Sequence, residues 1–373
     1  MPEGLKIDKG AEQTMRELLR ALLKSGRVSA VLSLGRTGGP NGGVAYSLFT
    51  DPEAFGPDGA AMPLMPFMPA NAGGLLSRMT LKGPLSEPVV AVVRPCELRA
   101  LVEVIKLNQA SMDNVLIISS TCSGVYPFDV ATNGGLEERL PQYWNKVEQG
   151  ELDEDVREAC RSCVHFVPDL GDITFALLGE TNLDGQCRVY LNTEKGAALV
   201  AGLEGFQGTP VLGKVETASI QDSLGRRQAF REEIFAQVEV GLKGLVQTFG
   251  RCISCRACKT VCPICYCRLC HFDSPACEHP PGFYEDELRK KGGLRVPSDT
   301  VYFQLGRMAH MSASCVGCGM CADACPADIP VSTIFSKVGA SVQAVFEYVP
   351  GRSLTEQIPV KTYEQEELAQ VAT

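Results

Sequence analysis

Two short cysteine runs constrain this chain more than any other feature. The first is Cys252, Cys255, Cys258 and Cys262 followed by Pro263, and the second is Cys315, Cys318, Cys321 and Cys325 followed by Pro326. Three thiols spaced at i, i+3 and i+6 on a tight turn can face one iron–sulfur cubane. A fourth, followed by proline, reaches across to the neighbouring cluster. The spacing therefore predicts one [4Fe-4S] cluster on Cys252, Cys255, Cys258 and Cys325, and a second on Cys315, Cys318, Cys321 and Cys262. A zinc ribbon or a disulfide scaffold is the alternative, but zinc motifs rarely carry four cysteines at this spacing twice over.

The chain has 373 residues, more than one ordinary domain, so two domains and a tail are expected. Hydrophobic residues at 45% and charged residues at 21% give a globular balance without the signature of disorder. A net charge of -9 with no basic face excludes nucleic acid as a partner, since phosphate binding needs clustered cations. The opening MPEGLKIDKG has no apolar signal core, and no stretch is long enough to span a bilayer. The seventeen cysteines are thus expected in a reducing cytoplasm, where thiols remain available as metal ligands.

Apolar spacing predicts a helix from Glu12 to Leu23 and a strand from Val28 to Leu34, with Gly26 between them as a stop. Residues from Gly35 to Gly83 are rich in Gly and Pro, including Gly38 to Gly43 and Met62 to Pro69, and read as loops with short strands. The run PVVAVV from Pro88 to Val93 is a strand covered on both faces, and Val115 to Ser119 is another. Leu98, Leu101, Val102 and Ile105 mark a helix between them. This βαβ unit places Cys96 and Cys122 beyond the carboxyl ends of parallel strands, where open α/β sheets bind ligands. Cys160 and Cys163, after the helix-like Glu151 to Ala159 and before a strand at Asp172 to Leu178, bring the thiols to four. That is enough for another [4Fe-4S] centre, while buried core thiols are the competing reading.

The segments RPCELRAL, IISSTCSGVYPF and CRSCVHFVPDLGDITFALLG resemble the β subunits of coenzyme F420-reducing hydrogenase and F420-linked formate dehydrogenase. The resemblance covers about the first half of the chain. It implies that Cys96, Cys122, Cys160 and Cys163 hold a [4Fe-4S] cluster beside a flavin. The family's flavin-site segments correspond here to Asp8-Lys9-Gly10 and Ala72-Gly73-Gly74-Leu75, so FAD would meet Gly10, Gly73 and Gly74. The second segment lacks the family's Lys-Tyr pair.

A long helix from Arg226 to Phe249 is expected to deliver the chain to the paired cysteine runs, which lie more than fifty residues apart and have a helix, Val301 to Met311, before the second. That arrangement resembles the α-helical ferredoxin module of heterodisulfide reductase and of fumarate reductase iron–sulfur subunits. Between the runs, Cys265, Cys267, Cys270 and Cys277 could hold a further [4Fe-4S] centre, zinc or nothing. Cys187 has no partner at ligand spacing.

The expected architecture is an α/β domain with a partly parallel sheet over residues 1–225, holding one [4Fe-4S] site and a flavin site. An α-helical ferredoxin-like domain over 226–347 carries at least two clusters, and 348–373 form a tail that is either solvated or a clamp on a neighbouring subunit. Three clusters are expected, four if the extra cysteines are used. Only four histidines are present and no hydrolase constellation appears, so redox cofactors would carry the chemistry. The expected role is an electron-transfer subunit of a cytoplasmic oxidoreductase complex. Its partners would be a dehydrogenase or hydrogenase catalytic subunit and a heterodisulfide-reductase-like subunit, and a flavin-less multi-cluster adaptor is the alternative.

Overall fold

The computed structural model describes residues 3–38, 43–132, 135–203, 205–213, 215, 218–293 and 297–360. Part of the glycine-rich turn at Gly38 to Gly43 and the acidic Glu364 to Glu367 lie outside them.

An eight-stranded mixed sheet organises the first part of the chain. Its strands are β1 (Glu3–Ile7), β2 (Ala30–Arg36), β3 (Val44–Phe49), β4 (Val89–Val92), β5 (Val115–Ser120), β6 (Ile173–Ala176), β7 (Cys187–Leu191) and β8 (Thr209–Leu212), in the spatial order β3-β2-β4-β5-β6-β7-β1-β8. β2, β4, β5 and β6 run parallel, and the remaining pairings are antiparallel. The sheet is therefore partly parallel, as its apolar runs suggest. Successive side chains of β4 serve different cores. Val90 and Val92 pack with Ile118 and with Leu18 and Leu22 of the first helix, whereas Ala91 and Val93 pack with Ile117 and the cysteine-rich module. A strand buried on both faces has no polar side to show, which is why PVVAVV carries no alternation.

Fourteen helices follow in chain order among the described residues. The first seven are α1 (Ala11–Lys24), α2 (Ala72–Thr80), α3 (Pro95–Lys106), α4 (Phe128–Thr132), α5 (Leu136–Glu148), α6 (Glu158–Arg161) and α7 (Glu194–Val200). The rest are α8 (Ala218–Gln237), α9 (Gly241–Phe249), α10 (Ala257–Thr260), α11 (Pro281–Lys291), α12 (Thr300–Met311), α13 (Met320–Asp323) and α14 (Val331–Val345). No described helix is long and apolar enough to cross a membrane.

Several expectations shift. The long helix from Arg226 to Phe249 is two helices, broken before Gly241, whose φ of +82° turns the chain in a way that glycine tolerates and other residues resist. Glu151 to Ala159 is mostly turn, with only α6 helical at its end, and the acidic helix lies earlier, as α5. Within the expected loops from Gly35 to Gly83 lie β3 and α2, the latter capped by the Asn71 side chain accepting from the Gly73 N–H.

The start of the tail is neither free nor extended. Tyr348 donates its hydroxyl to the buried Glu103 carboxylate at 2.6 Å, the Gly351 N–H donates to the same oxygen at 2.8 Å, and Arg99 donates to the Pro350 carbonyl at 2.7 Å. Residues 348–351 are thereby strapped onto α3. The ferredoxin-like segment packs on the same helix pair, because Leu76 of α2, Leu98 and Leu101 of α3, and Phe249, Ile264, Phe303 and Phe335 belong to one core.

Candidate iron–sulfur centres

The first centre forms where β4 and β5 end. Pro95 starts α3, and the Glu97 carboxylate accepts from the Arg94 N–H at 2.8 Å, from the Ala72 N–H at 3.0 Å and from the Tyr46 hydroxyl at 2.7 Å. One buried carboxylate thus fixes the entry of α3, with Cys96 in its first turn, and joins it to α2 and β3. Cys122, just past β5, is held by its N–H to the Phe166 carbonyl at 2.8 Å. Cys160 lies in α6 and Cys163 just beyond it. Gly124 has φ +89°, and a Cβ there would lie 3.1 Å from that of Cys160, so glycine admits this approach. Together Cys96, Cys122, Cys160 and Cys163 line one cavity.

Burial pushes the thiols of Cys96, Cys122 and Cys160 upward, Cys160 to about 12. Bare thiolates are disfavoured in such a place, whereas a bound metal cluster would take up their charge. The cavity wall also holds Arg227, which is 1% exposed, stacks 3.8 Å from the Phe166 ring and donates to the Cys122 carbonyl at 2.9 Å. Among the described residues it makes no ion pair with a carboxylate. A buried cation without an acidic partner suits a site that receives an anionic cluster.

The second centre crosses the two runs. Cys262 of the first lines a cavity with Cys315, Cys318 and Cys321 of the second. Gly317 and Gly319 hold φ of +70° and +80°, and Ser254 and Arg256 hold +58° and +59° at the equivalent positions of the first run. The two runs therefore share one loop conformation. Gly317 and Cys318 also line the cavity of the first centre, so the two cavities share a wall.

The third centre gathers around α12. Gln304 Nε2 lies 3.9 Å from the Sγ atoms of both Cys252 and Cys258, and Arg307 Nη1 donates to Cys258 Sγ at 3.1 Å. Cys255 is exposed and Cys325 half-buried. The end of the second run is drawn to the start of the first by Arg251, which donates to the Asp328 carbonyl at 3.3 Å.

Cys265 Sγ lies 3.6 Å from Met311 Sδ and hydrogen-bonds Cys262, whose thiol that bond pulls down. Cys270 faces Lys259, Cys267 is exposed, Cys277 is half-buried and Cys187 belongs to the sheet core. None of the cavities around the three centres holds Cys265, Cys267, Cys270 and Cys277 together. Among the described residues no three His, Cys, Asp or Glu side chains are placed to hold a single metal ion. Cys96, Cys122, Cys160 and Cys163 line one cavity, and Cys262, Cys315, Cys318 and Cys321 line another.

The three glycines expected at a flavin have different surroundings. A Cβ on Gly10 would lie 2.6 Å from the Asp184 carbonyl oxygen, and one on Gly73 would lie 2.5 Å from that of Glu97, so both are close-packed against protein backbone. Gly74 lines an open cleft of about 470 Å³ between α2 and residues 260–268, with Arg78, Tyr266, Arg268 and Cys262. Asn71 lines it too, and its Nδ2 is buried without a hydrogen-bond partner.

Sequence reasoning did not find Arg227, Gln304 or Arg307. The only local signal was a charged residue on the buried face of α12, among Phe303, Met308 and Met311.

Residues 128–206 match the family described as the C terminus of the coenzyme F420 hydrogenase/dehydrogenase beta subunit, and residues 310–331 match the 4Fe-4S binding domain. The F420-dependent formate dehydrogenase subunit beta of Methanocaldococcus jannaschii is 28% identical over 318 residues, covering 76% of this chain and 78% of that protein. The F420-dependent formate dehydrogenase 1 subunit beta of Methanococcus maripaludis is 26% identical over 319 residues, covering 76% and 77%. A chain of the F420-reducing [NiFe] hydrogenase complex from Methanosarcina barkeri overlaps 65% of this chain and 93% of its own length at 14% identity, with a TM-score of 0.43, too low to bear weight.

Fold and site define an iron–sulfur electron-transfer subunit. It resembles the coenzyme F420 hydrogenase/dehydrogenase β subunits, with a 4Fe-4S binding domain matched over residues 310–331.

Proposed function

We propose that the chain relays electrons through three [4Fe-4S] clusters. These are held by Cys96, Cys122, Cys160 and Cys163, by Cys262, Cys315, Cys318 and Cys321, and by Cys252, Cys255, Cys258 and Cys325. The observation that carries this reading is the wall of Gly317 and Cys318 common to the first two cavities. Arg307 continues the series, since it lines the second cavity and donates to Cys258 of the third centre. Bound clusters supply one-electron capacity at potentials set by charge, hydrogen bonds to sulfur and exposure.

The protein's own contribution is placement and insulation. Glu97 fixes Cys96, α6 brings Cys160 and Cys163 against the second run, and the apolar packing of Met68, Val125 and Met320 excludes water between them. The formate dehydrogenase relatives suggest that one terminus of the relay is a soluble hydride carrier of the coenzyme F420 type, or the catalytic subunit of a formate dehydrogenase or hydrogenase. A heterodisulfide-reductase-like subunit is the proposed partner at the exposed Cys255 end.

FAD would supply the conversion of hydride pairs into single electrons. The cleft at Gly74, with Arg78 and Arg268 for phosphates and the unpaired Asn71 amide, suits it best. A flavin-less adaptor is the second reading, and the packing of Gly10 and Gly73 against Asp184 and Glu97 favours it. Iron, sulfide and flavin measured on one anaerobic preparation of the full chain test both. About twelve irons with one FAD support the flavin relay, about twelve irons without flavin support the adaptor, and zinc in place of iron overturns both.

A further inference from the structure

Arg307 is only 4% exposed and lies between two of the proposed centres. Its Nη1 donates to Cys258 Sγ at 3.1 Å and to Gln304 Oε1 at 3.3 Å, and its Nη2 donates to the Cys258 carbonyl at 3.0 Å. The same side chain lines the cavity of Cys262, Cys315, Cys318 and Cys321. The Phe335 ring lies 4.7 Å from the guanidinium and the Phe303 ring 5.7 Å, closing it from solvent. Its Nε is buried with no hydrogen-bond partner, and among the described residues no carboxylate pairs with it. Arg157, also buried, differs in having Asp323 at 2.6 Å.

A buried guanidinium without an acid would be costly unless an anion faces it. The anions available here are the cysteine sulfurs of two sites. Adding an electron makes an iron–sulfur cluster more negative, and a fixed cation stabilises that reduced form more than the oxidised one. In a water-poor enclosure this attraction is weakly screened.

We infer that Arg307 is a positioning residue that serves as the shared counter-cation of the Cys262/Cys315/Cys318/Cys321 and Cys252/Cys255/Cys258/Cys325 clusters. It holds both at raised reduction potentials and leaves the Cys96 cluster unaffected. The two clusters nearer the exposed Cys255 become the electron-accepting end of the relay relative to what their ligands alone would give. This rests on the three-cluster reading above.

The test is an anaerobic redox titration of the reconstituted full chain, followed by electron paramagnetic resonance, for the wild type, R307M, R307Q and R307K. Iron is counted in each sample. In R307M and R307Q the ratio of reduced to oxidised forms of the two clusters at a fixed potential should fall at least tenfold, about 59 mV for one electron. The Cys96 cluster's midpoint should stay in place, and R307K should recover at least half the shift because it keeps the charge. Wild-type potentials in R307M and R307Q at full iron content would overturn the inference, as would an R307K no different from R307M, since packing would then explain the effect. If R307M and R307Q lose iron, R307K decides alone. Near-wild-type potentials with full iron support a counter-cation, and iron loss there too overturns it in favour of a purely structural role. Failure of the wild type to assemble three clusters would instead remove the functional reading.

Discussion

Gly319 meets Ala159 so closely that a Cβ on Gly319 would lie 2.7 Å from that of Ala159. This contact joins the second cysteine run to α6, which carries Cys160, and so closes the gap between the first two centres. The equivalent position in the first run is Arg256, in the same left-handed conformation at φ +59° but bearing a long side chain directed to Asp273. One loop is built twice, and only the copy facing the α/β domain must be glycine.

Gly319→Ala should therefore destabilise the protein by about 2 kcal/mol, combining the left-handed penalty with the overlap. Arg256→Gly should be neutral or stabilising by less than about 1 kcal/mol. Anaerobic denaturant midpoints compare the two. Equal losses at both positions would mean that the Ala159 contact is not what demands glycine.

Cys262 and Cys265 are hydrogen-bonded neighbours with opposite expected roles. Cys262→Ser should remove about four irons per chain, the content of one cubane, whereas Cys265→Ser should leave iron content unchanged. Iron loss from Cys265→Ser would show that the cysteines between the runs hold metal after all.

Cys122→Ser should abolish one cluster and spare the other two, because its cavity draws no ligand from the first run. The check is the loss of a single paramagnetic species on reduction with about eight irons retained. Loss of all three signals would mean that the centres assemble as one cooperative unit.

Glu103 is fully buried, pairs with Lys106 at 2.7 Å and anchors Tyr348 and Gly351. Glu103→Gln leaves the Lys106 ammonium nearly buried without its partner and should cost about 3 to 5 kcal/mol, read from the unfolding midpoint. Tyr348→Phe removes two hydrogen bonds, one donated to Glu103 and one accepted from Lys106, and should cost about 1 to 3 kcal/mol. A wild-type midpoint for both variants would show that the strap of residues 348–351 carries no stability.

The cysteine runs and the strands β4 and β5 were legible because their signals are local, a fixed ligand spacing and unbroken apolar stretches. α2 was not, since Gly73 and Gly74 weaken helix propensity, and Gly73 is needed where α2 packs on the backbone of Glu97. α5 carries Pro141 in its interior and reads as a broken segment. β1 and β8 take their places only by pairing with each other and with distant β7. The arginines of the site were invisible for a related reason. What marks Arg227 and Arg307 is the absence of an acidic partner, a property of the folded neighbourhood and of no sequence window.

Whether three clusters form one contiguous wire is read most directly by electron paramagnetic resonance of the fully reduced, anaerobically reconstituted chain. About three spins per chain are expected, with the line splitting and fast relaxation of neighbouring paramagnets, simplified in Cys122→Ser. Fewer than three spins, or three magnetically isolated spectra, would contradict it.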